Sequence, residues 1–140
     1  PQHVIELTTD AFSECNISLE KSEILILGIS YKPNVKDVQL SPAEEIIKKL
    51  QKLGANIHIY DPYFFSNEVF GIKVEDNLQE ILPKMNAAII VTGHDDFKKI
   101  QISSFTNMKN SILIDTRGII EPHLIKQHNI IFRGLGRGGF

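Results

Sequence analysis

The chain has only one cysteine, Cys15, which excludes any disulfide within its 140 residues and fits a reducing, cytoplasmic setting. No apolar run approaches the ~18 residues of a membrane span, and no signal-peptide pattern is visible, so no membrane partner is expected. Neither sign of charge dominates. The formal net charge is −2 with no basic block, which argues against nucleic acid as a partner. The five histidines are scattered and do not cluster with the cysteine, so no metal site is expected. There is no internal repeat and no low-complexity stretch. The glycine-rich phosphate fingerprint G-x-G-x-x-G is also missing, although one strand ends where it would be found. What is present is ordinary for a globular chain, at 42% hydrophobic and 23% charged, and the length suits one domain with a real core.

Apolar spacing at Val4, Leu7, Phe12 and Cys15 predicts a helix over residues 3–15 that starts abruptly, as if cut from something longer. Asn16-Ile17-Ser18 reads as a linker. Glu23–Gly28 is a continuous, β-branched apolar run, as expected of a strand buried on both faces. Ser41 is placed as an N-cap with Pro42 at the first helical position, Glu44 and Glu45 in the first turn, and Gly54 as the stop. Glu44, Glu45, Lys48 and Lys49 read as a solvated face with i,i+4 pairs. The alternation continues with strands at 55–60, 73–74, 87–92, 111–115 and 130–132. Helical segments are expected at 77–84, 95–100, 102–108 and 121–127, and the tail 134–139 reads as flexible. Strand and helix alternating at this spacing predict an α/β, Rossmann-like, doubly wound parallel sheet with a preceding helix. Residues 1–18 form that helix and linker, and 19–140 form the domain.

In such a sheet ligands bind where strands end. Three strand ends carry candidate chemistry. After Gly28 the loop offers Tyr31 and Lys32, which suit stacking on a base and pairing with a phosphate; an ordinary exposed loop with a lysine is the other reading. In Ile114-Asp115-Thr116-Arg117-Gly118, Arg117 either faces the same crevice, pairs with Asp115, or follows a loop-fixing Asp115. Asp61-Pro62 ends a third strand and reads as a turn former rather than a ribose ligand. A His94–Asp95–Asp96 acid/base group is disfavoured, because side chains adjacent in sequence seldom converge on one substrate. Cys15, among apolar neighbours, reads as a buried, inert thiol. The residues amount to a nucleotide half-site without a complete catalytic set.

Several ordered motifs carry a resemblance. Leu27-Gly-Ile-Ser-Tyr-Lys-Pro-Asn-Val35 continues through Asp37 to Ser41-Pro42. His58-Ile-Tyr-Asp-Pro-Tyr63, Ile114-Asp-Thr-Arg117 and Gly134-Leu-Gly-Arg-Gly138 follow in order, and Pro1-Gln-His-Val-Ile-Glu-Leu7 resembles the end of a long central helix preceding such a domain. Together they resemble the carboxyl-terminal, UDP-binding domain of the UDP-glucose/GDP-mannose dehydrogenase family, over nearly the whole chain.

The resemblance implies an enzyme that oxidises the C6 alcohol of a UDP-sugar to a carboxylate with two NAD+ in succession. NAD is bound mainly by an amino-terminal domain outside this chain. The catalytic cysteine and lysine also lie upstream, so no catalytic residue is expected here. By position, Tyr31, Lys32 and Arg117 match substrate-binding residues. Gln39 stands where many members have a cofactor-reaching arginine, and Leu40 where they have a glutamate. A glutamine keeps hydrogen bonding but loses the charge and the fork. Thr92-Gly-His-Asp-Asp-Phe97 is more similar to the UDP-N-acetylmannosamine branch than to the T-E-W-x-x-F of UDP-glucose members. The implied partners are the amino-terminal and central domains of the same polypeptide and a homo-oligomer built on the central helix. The alternatives are a UDP-glucose 6-dehydrogenase domain, a non-catalytic UDP-binding module, or a domain used for oligomer contacts.

Overall fold

The protein is described here by a computed structural model covering residues 1–134. Its centre is a seven-stranded sheet. The strands are β1 (Glu23–Leu27), β2 (Asn56–Tyr60), β3 (Glu68–Val69), β4 (Ile72–Glu75), β5 (Ala87–Ile90), β6 (Ile112–Asp115) and β7 (Ile131–Gly134). They lie in the order β3-β4-β2-β1-β5-β6-β7. All neighbours are parallel except β3 and β4, which form an antiparallel hairpin at one edge. The order reverses between β1 and β5. Connections leave that boundary in opposite directions, so a crevice opens at its carboxyl end.

Period-two alternation splits each central strand between two cores. Ile24 and Ile26 join Ile59, Ile89 and Ile114 on one face, under α1 (Gln2–Glu14) and α2 (Ala43–Lys52). Leu25 and Leu27 join Ile90 and Leu113 on the other, under α3 (Leu78–Ile81), α4 (Asp95–Lys98), α5 (Pro122–Ile125) and two 3-10 turns at 82–84 and 102–107. Among the described residues no helix is long and apolar enough to cross a membrane.

The doubly wound sheet matches expectation, and the differences from the predicted elements are local. Helix α2 begins one residue late. Pro42 takes the cap position in place of the expected Ser41, whose Oγ accepts from the Ala43 N–H at 3.1 Å from one residue further out. Strand β4 contains the expected strand at 73–74, but its antiparallel partner β3 was not anticipated, because a two-residue strand has too few positions to show alternation. Segment 102–108 forms a 3-10 helix over Ile102–Asn107, anchored by the buried Phe105, and segment 121–127 is shorter than predicted, a single α-turn over Pro122–Ile125. The expected pairs Glu44–Lys48 and Glu45–Lys49 form at 3.3 and 3.1 Å. Cys15 is partly buried, packed against the core rather than enclosed by it. Burial, then the neighbouring Glu14, push its thiol up, which leaves it a poor nucleophile. The predicted flexible tail, beyond Gly134 of β7, lies outside the described residues.

Helix α1 packs on the domain it precedes, and Arg133 of β7 clasps it through Asp10 at 3.0 Å and Glu14 at 2.5 Å. At the amino end of the sheet, Glu23 accepts from Asn56 Nδ2 at 2.7 Å and shares a 2.6 Å hydrogen bond with His58 Nε2. Burial pushes the Glu23 carboxyl up, but the bonds with His58 and Asn56 outweigh it and hold the group below its ordinary value. A carboxylate depressed in the folded state adds stability that is full above its unfolded value and is lost as pH falls through the folded one. Urea midpoints of wild type and Glu23→Gln are therefore expected to converge as pH drops from about 6 to about 3. A constant gap across that range would assign Glu23 no titrating role.

Candidate functional site

The site is assembled at the carboxyl ends of β1, β5 and β6. Beyond β1 the backbone at Gly28 takes φ +90° and presses against Thr92. A Cβ there would sit 2.5 Å from Thr92 Cβ and 2.9 Å from its backbone nitrogen, so this corner requires glycine for close approach rather than for holding phosphate. Thr92 Oγ1 then donates to the Ser30 carbonyl at 2.7 Å, and the buried Ser30 hydroxyl donates to the Lys32 carbonyl at 2.7 Å. The Tyr31 N–H donates to the Asp37 carbonyl at 3.1 Å and closes the loop on itself. These bonds hold the exposed Tyr31 and Lys32 beside the end of β5. Lys36, further along, turns away over the Phe64 ring at 5.8 Å.

From β6, Asp115 is fully buried and fixes the turn that follows it. Its Oδ1 accepts from the N–H groups of Arg117 and Gly118 at 3.0 and 2.9 Å, and its Oδ2 accepts from Ile120 N–H at 2.8 Å. The loop-fixing reading of Asp115 is the observed one. Arg117 Nε donates to the Val91 carbonyl at 2.8 Å. That contact consumes one donor, fixes the plane of the guanidinium and leaves its terminal nitrogens free to meet an anion.

A cavity of about 460 Å³ lies between these elements, lined by Tyr31, Lys32, Pro33, Thr92, Gly93, Lys98, Arg117 and Ile119. Among the described residues three cations and no carboxylate line it, with an aromatic ring on the rim and Pro33 and Ile119 as apolar wall. Lys98 pairs with Asp95 at 3.3 Å, but both groups are largely exposed, so the pair is weak and can exchange for a ligand anion. A larger hollow of about 590 Å³ opens beyond β2 and β4, beside Tyr60, Asp76, Asp96 and Lys99. With two carboxylates and one lysine it has the wrong sign for a phosphate. The smaller cavity lies at the strand-order reversal, and its chemistry fits an anionic ligand bearing a flat ring.

Tyr31, Lys32 and Arg117, far apart in sequence, are thus brought to one cavity. Gln39 is not among its lining residues; it is exposed, and its N–H donates to Asp37 Oδ1 at 2.9 Å. His94 is fully buried, outside that lining, and bonded to Asp61. The segment on which the sugar-branch resemblance rests therefore does not present its histidine to a ligand. Sequence reasoning missed Lys98 and Ile119. Lys98 was legible as the basic residue of the short helix after β5, whereas nothing about Ile119 distinguished it from a core residue.

Residues 25–122 match the UDP-glucose/GDP-mannose dehydrogenase family, UDP binding domain. The chain is 30% identical over 139 residues to a UDP-N-acetyl-D-mannosamine dehydrogenase of Pyrococcus horikoshii, covering 99% of this chain and 31% of that protein. It is 28% identical over 120 residues to a UDP-glucose 6-dehydrogenase of Rhizobium meliloti, covering 83% of this chain and 28% of that one. Its fold superposes with TM-score 0.85 on the solved structure of a UDP-D-ManNAc dehydrogenase from Pyrococcus horikoshii, at 29% identity, over 100% of this chain and 31% of the other. The chain thus spans about 30% of the length of these relatives.

Proposed function

Because the chain belongs to the UDP-glucose/GDP-mannose dehydrogenase family, we propose that it acts as the UDP-binding half of the substrate site in an NAD-dependent UDP-sugar 6-dehydrogenase. The cavity between β1, β5 and β6 supports this reading. It gathers Tyr31, Lys32 and Arg117, the residues to which the motifs assign substrate contact. In this reading the Tyr31 ring covers the uracil, and Pro33 and Ile119 exclude water from its far side. Lys32, Lys98 and Arg117 neutralise the diphosphate. Holding the nucleotide leaves the sugar to project out of the cavity toward groups outside this chain. In the same reading residues 19–140 are the binding domain and residues 1–18 the end of the central helix and its linker.

The residues of this chain do not fit the dinucleotide itself. Strand β1 ends in one glycine, and the loop over 28–42 has no glycine cradle leading into α2. NAD is accordingly placed on the remainder of the longer protein, with Gln39 able to offer a hydrogen bond toward it. The sugar is assigned as UDP-N-acetyl-D-mannosamine from the relatives of that name; the UDP-glucose relative, at similar identity, keeps UDP-glucose as the second reading. A cytoplasmic setting and a homo-oligomer follow from the same reading.

Titration of 15N-labelled chain with UDP tests the site. Shifts are expected at Tyr31, Lys32, Gly93 and Arg117, with a Kd on the order of 0.1–1 mM for half a site and weaker binding of uridine. No shifts at about 10 mM UDP, or shifts confined to the hollow beside Tyr60, would overturn it. In the longer polypeptide, NADH production is expected to be faster with UDP-N-acetylmannosamine than with UDP-glucose; the reverse order would select the second reading.

A further inference from the structure

Beneath the cavity, groups from three strand ends meet without lining it. Asp61 follows β2, His94 follows β5, and Asn34 belongs to the loop after β1. The side chains of Asp61 and His94 have no exposed surface. The Asn34 N–H donates to His94 Nδ1 at 2.8 Å, so Nδ1 carries no proton and the proton sits on Nε2. Nε2–H in turn donates to Asp61 Oδ2 at 3.0 Å. That oxygen also accepts from the Ile29 N–H at 2.9 Å, while Oδ1 accepts from Tyr63 N–H at 2.9 Å. Asn34 returns the contact, its Oδ1 accepting from Asp95 N–H at 2.9 Å. The imidazole lies between the Tyr63 and Phe97 rings, at centroid distances of 4.8 and 5.3 Å. It cannot turn without breaking both hydrogen bonds.

Asn34 is two residues beyond Lys32 and has φ 64°, a left-handed conformation that asparagine adopts more readily than most residues. Residues 31–37 are exposed. Beyond the Thr92–Ser30 bond at its start, the bonds of Asn34 to His94 and to the Asp95 N–H therefore tie this exposed stretch to the segment after β5, close to the two side chains that line the cavity, and only the first of the two depends on the imidazole.

We propose that His94, oriented by Asp61, is a positioning residue for the nucleotide loop. It holds Asn34, and through it the geometry of Tyr31 and Lys32, in the binding arrangement before ligand arrives. The proposal rests on the reading that these two residues contact UDP. Preorganisation of this kind raises affinity by removing the ordering cost from the binding step.

Two substitutions separate this role from a merely structural one. In His94→Gln the side-chain amide reaches the position of Nε2 and can still donate to Asp61, but the acceptor for Asn34 is lost. In His94→Asn the side-chain oxygen takes the position of Nδ1 and still accepts from Asn34, but the donor to Asp61 is lost. Both lose the ring, so both are expected to melt earlier than wild type. Amide exchange at Asn34 is expected to accelerate about tenfold or more in His94→Gln and much less in His94→Asn. UDP binding by the same chains is expected to weaken about tenfold in the first and within about threefold in the second.

Unchanged Asn34 exchange in His94→Gln would overturn the proposal. Equal losses of affinity in both variants, in step with their melting temperatures, would do the same. A wild-type chain that gives no UDP shifts would overturn the nucleotide reading instead, and the contrast in Asn34 exchange would still decide whether His94 fixes the loop.

Discussion

Asp115→Ala is expected to cost about 3–5 kcal/mol of folding stability, a large share of the ~5–15 kcal/mol that a domain commonly has. The carboxylate receives three backbone N–H groups, from Arg117, Gly118 and Ile120. A methyl group leaves all three without their acceptor, and Ile120 lies in the core where water cannot replace it. Asp115→Asn separates charge from shape. Its carbonyl oxygen can serve the Arg117 and Gly118 pair, but its NH2 then points at the Ile120 N–H, donor against donor. Turning the amide over only moves the conflict to the other pair. The asparagine variant is therefore expected to recover part of the loss, leaving about 1–3 kcal/mol. The turn also sets the start of the Arg117 side chain, so UDP affinity should fall with stability in both variants. Urea unfolding followed by circular dichroism gives the first quantity and the 15N titration the second. An alanine variant within about 1 kcal/mol of wild type would mean that the turn after β6 holds itself without the carboxylate.

How much of this was legible in the sequence depended on the range of the interaction. Strand β1 was legible because Ile24-Leu-Ile-Leu27 is a short, continuous, β-branched apolar run, the composition of a strand buried on both faces, as it is here. Helix α2 was legible because its cap, first-turn acids and stop are all local. Strand β3, the partner of β4 in the edge hairpin, was hidden by its brevity. Tyr31, Lys32 and Arg117 were each legible as strand-end residues, but their meeting at one cavity follows from strand order, which the sequence does not display. Asp61 and His94 show the limit most clearly. Each has a sufficient local explanation, a turn before proline and a polar residue after a strand. Their pairing spans 33 positions and involves an Asn34 backbone group that no side-chain pattern marks. Composition also misjudged Cys15, whose apolar neighbours suggested burial although it lies at the exposed end of α1.

Lys32→Ala and Arg117→Ala together are expected to weaken UDP binding about 10²–10³-fold, against about 10–100-fold for either alone. In the proposed site each would remove a charge-assisted contact to phosphate from a cavity wall that, among the described residues, holds no carboxylate. Arg117→Lys should not restore binding. Arg117 already spends Nε on the Val91 carbonyl at 2.8 Å, which in the proposed site would leave its remaining nitrogens to meet the anion in the same rigid plane. A single ammonium cannot hold the carbonyl and orient a phosphate at once. Because the cations border solvent, the wild-type preference for UDP over uridine should shrink as salt rises from about 50 mM to about 500 mM. In the double variant that preference should be small at every salt concentration. Uridine itself should bind both chains nearly alike, since the contacts of Tyr31, Pro33 and Ile119 remain. Gln39→Ala, outside the cavity lining, should leave UDP affinity within about twofold. A double variant that loses uridine as strongly as UDP would show that the substitutions had damaged the loop. One that keeps wild-type UDP affinity would remove Lys32 and Arg117 from the phosphate site and with them the proposed orientation of the nucleotide.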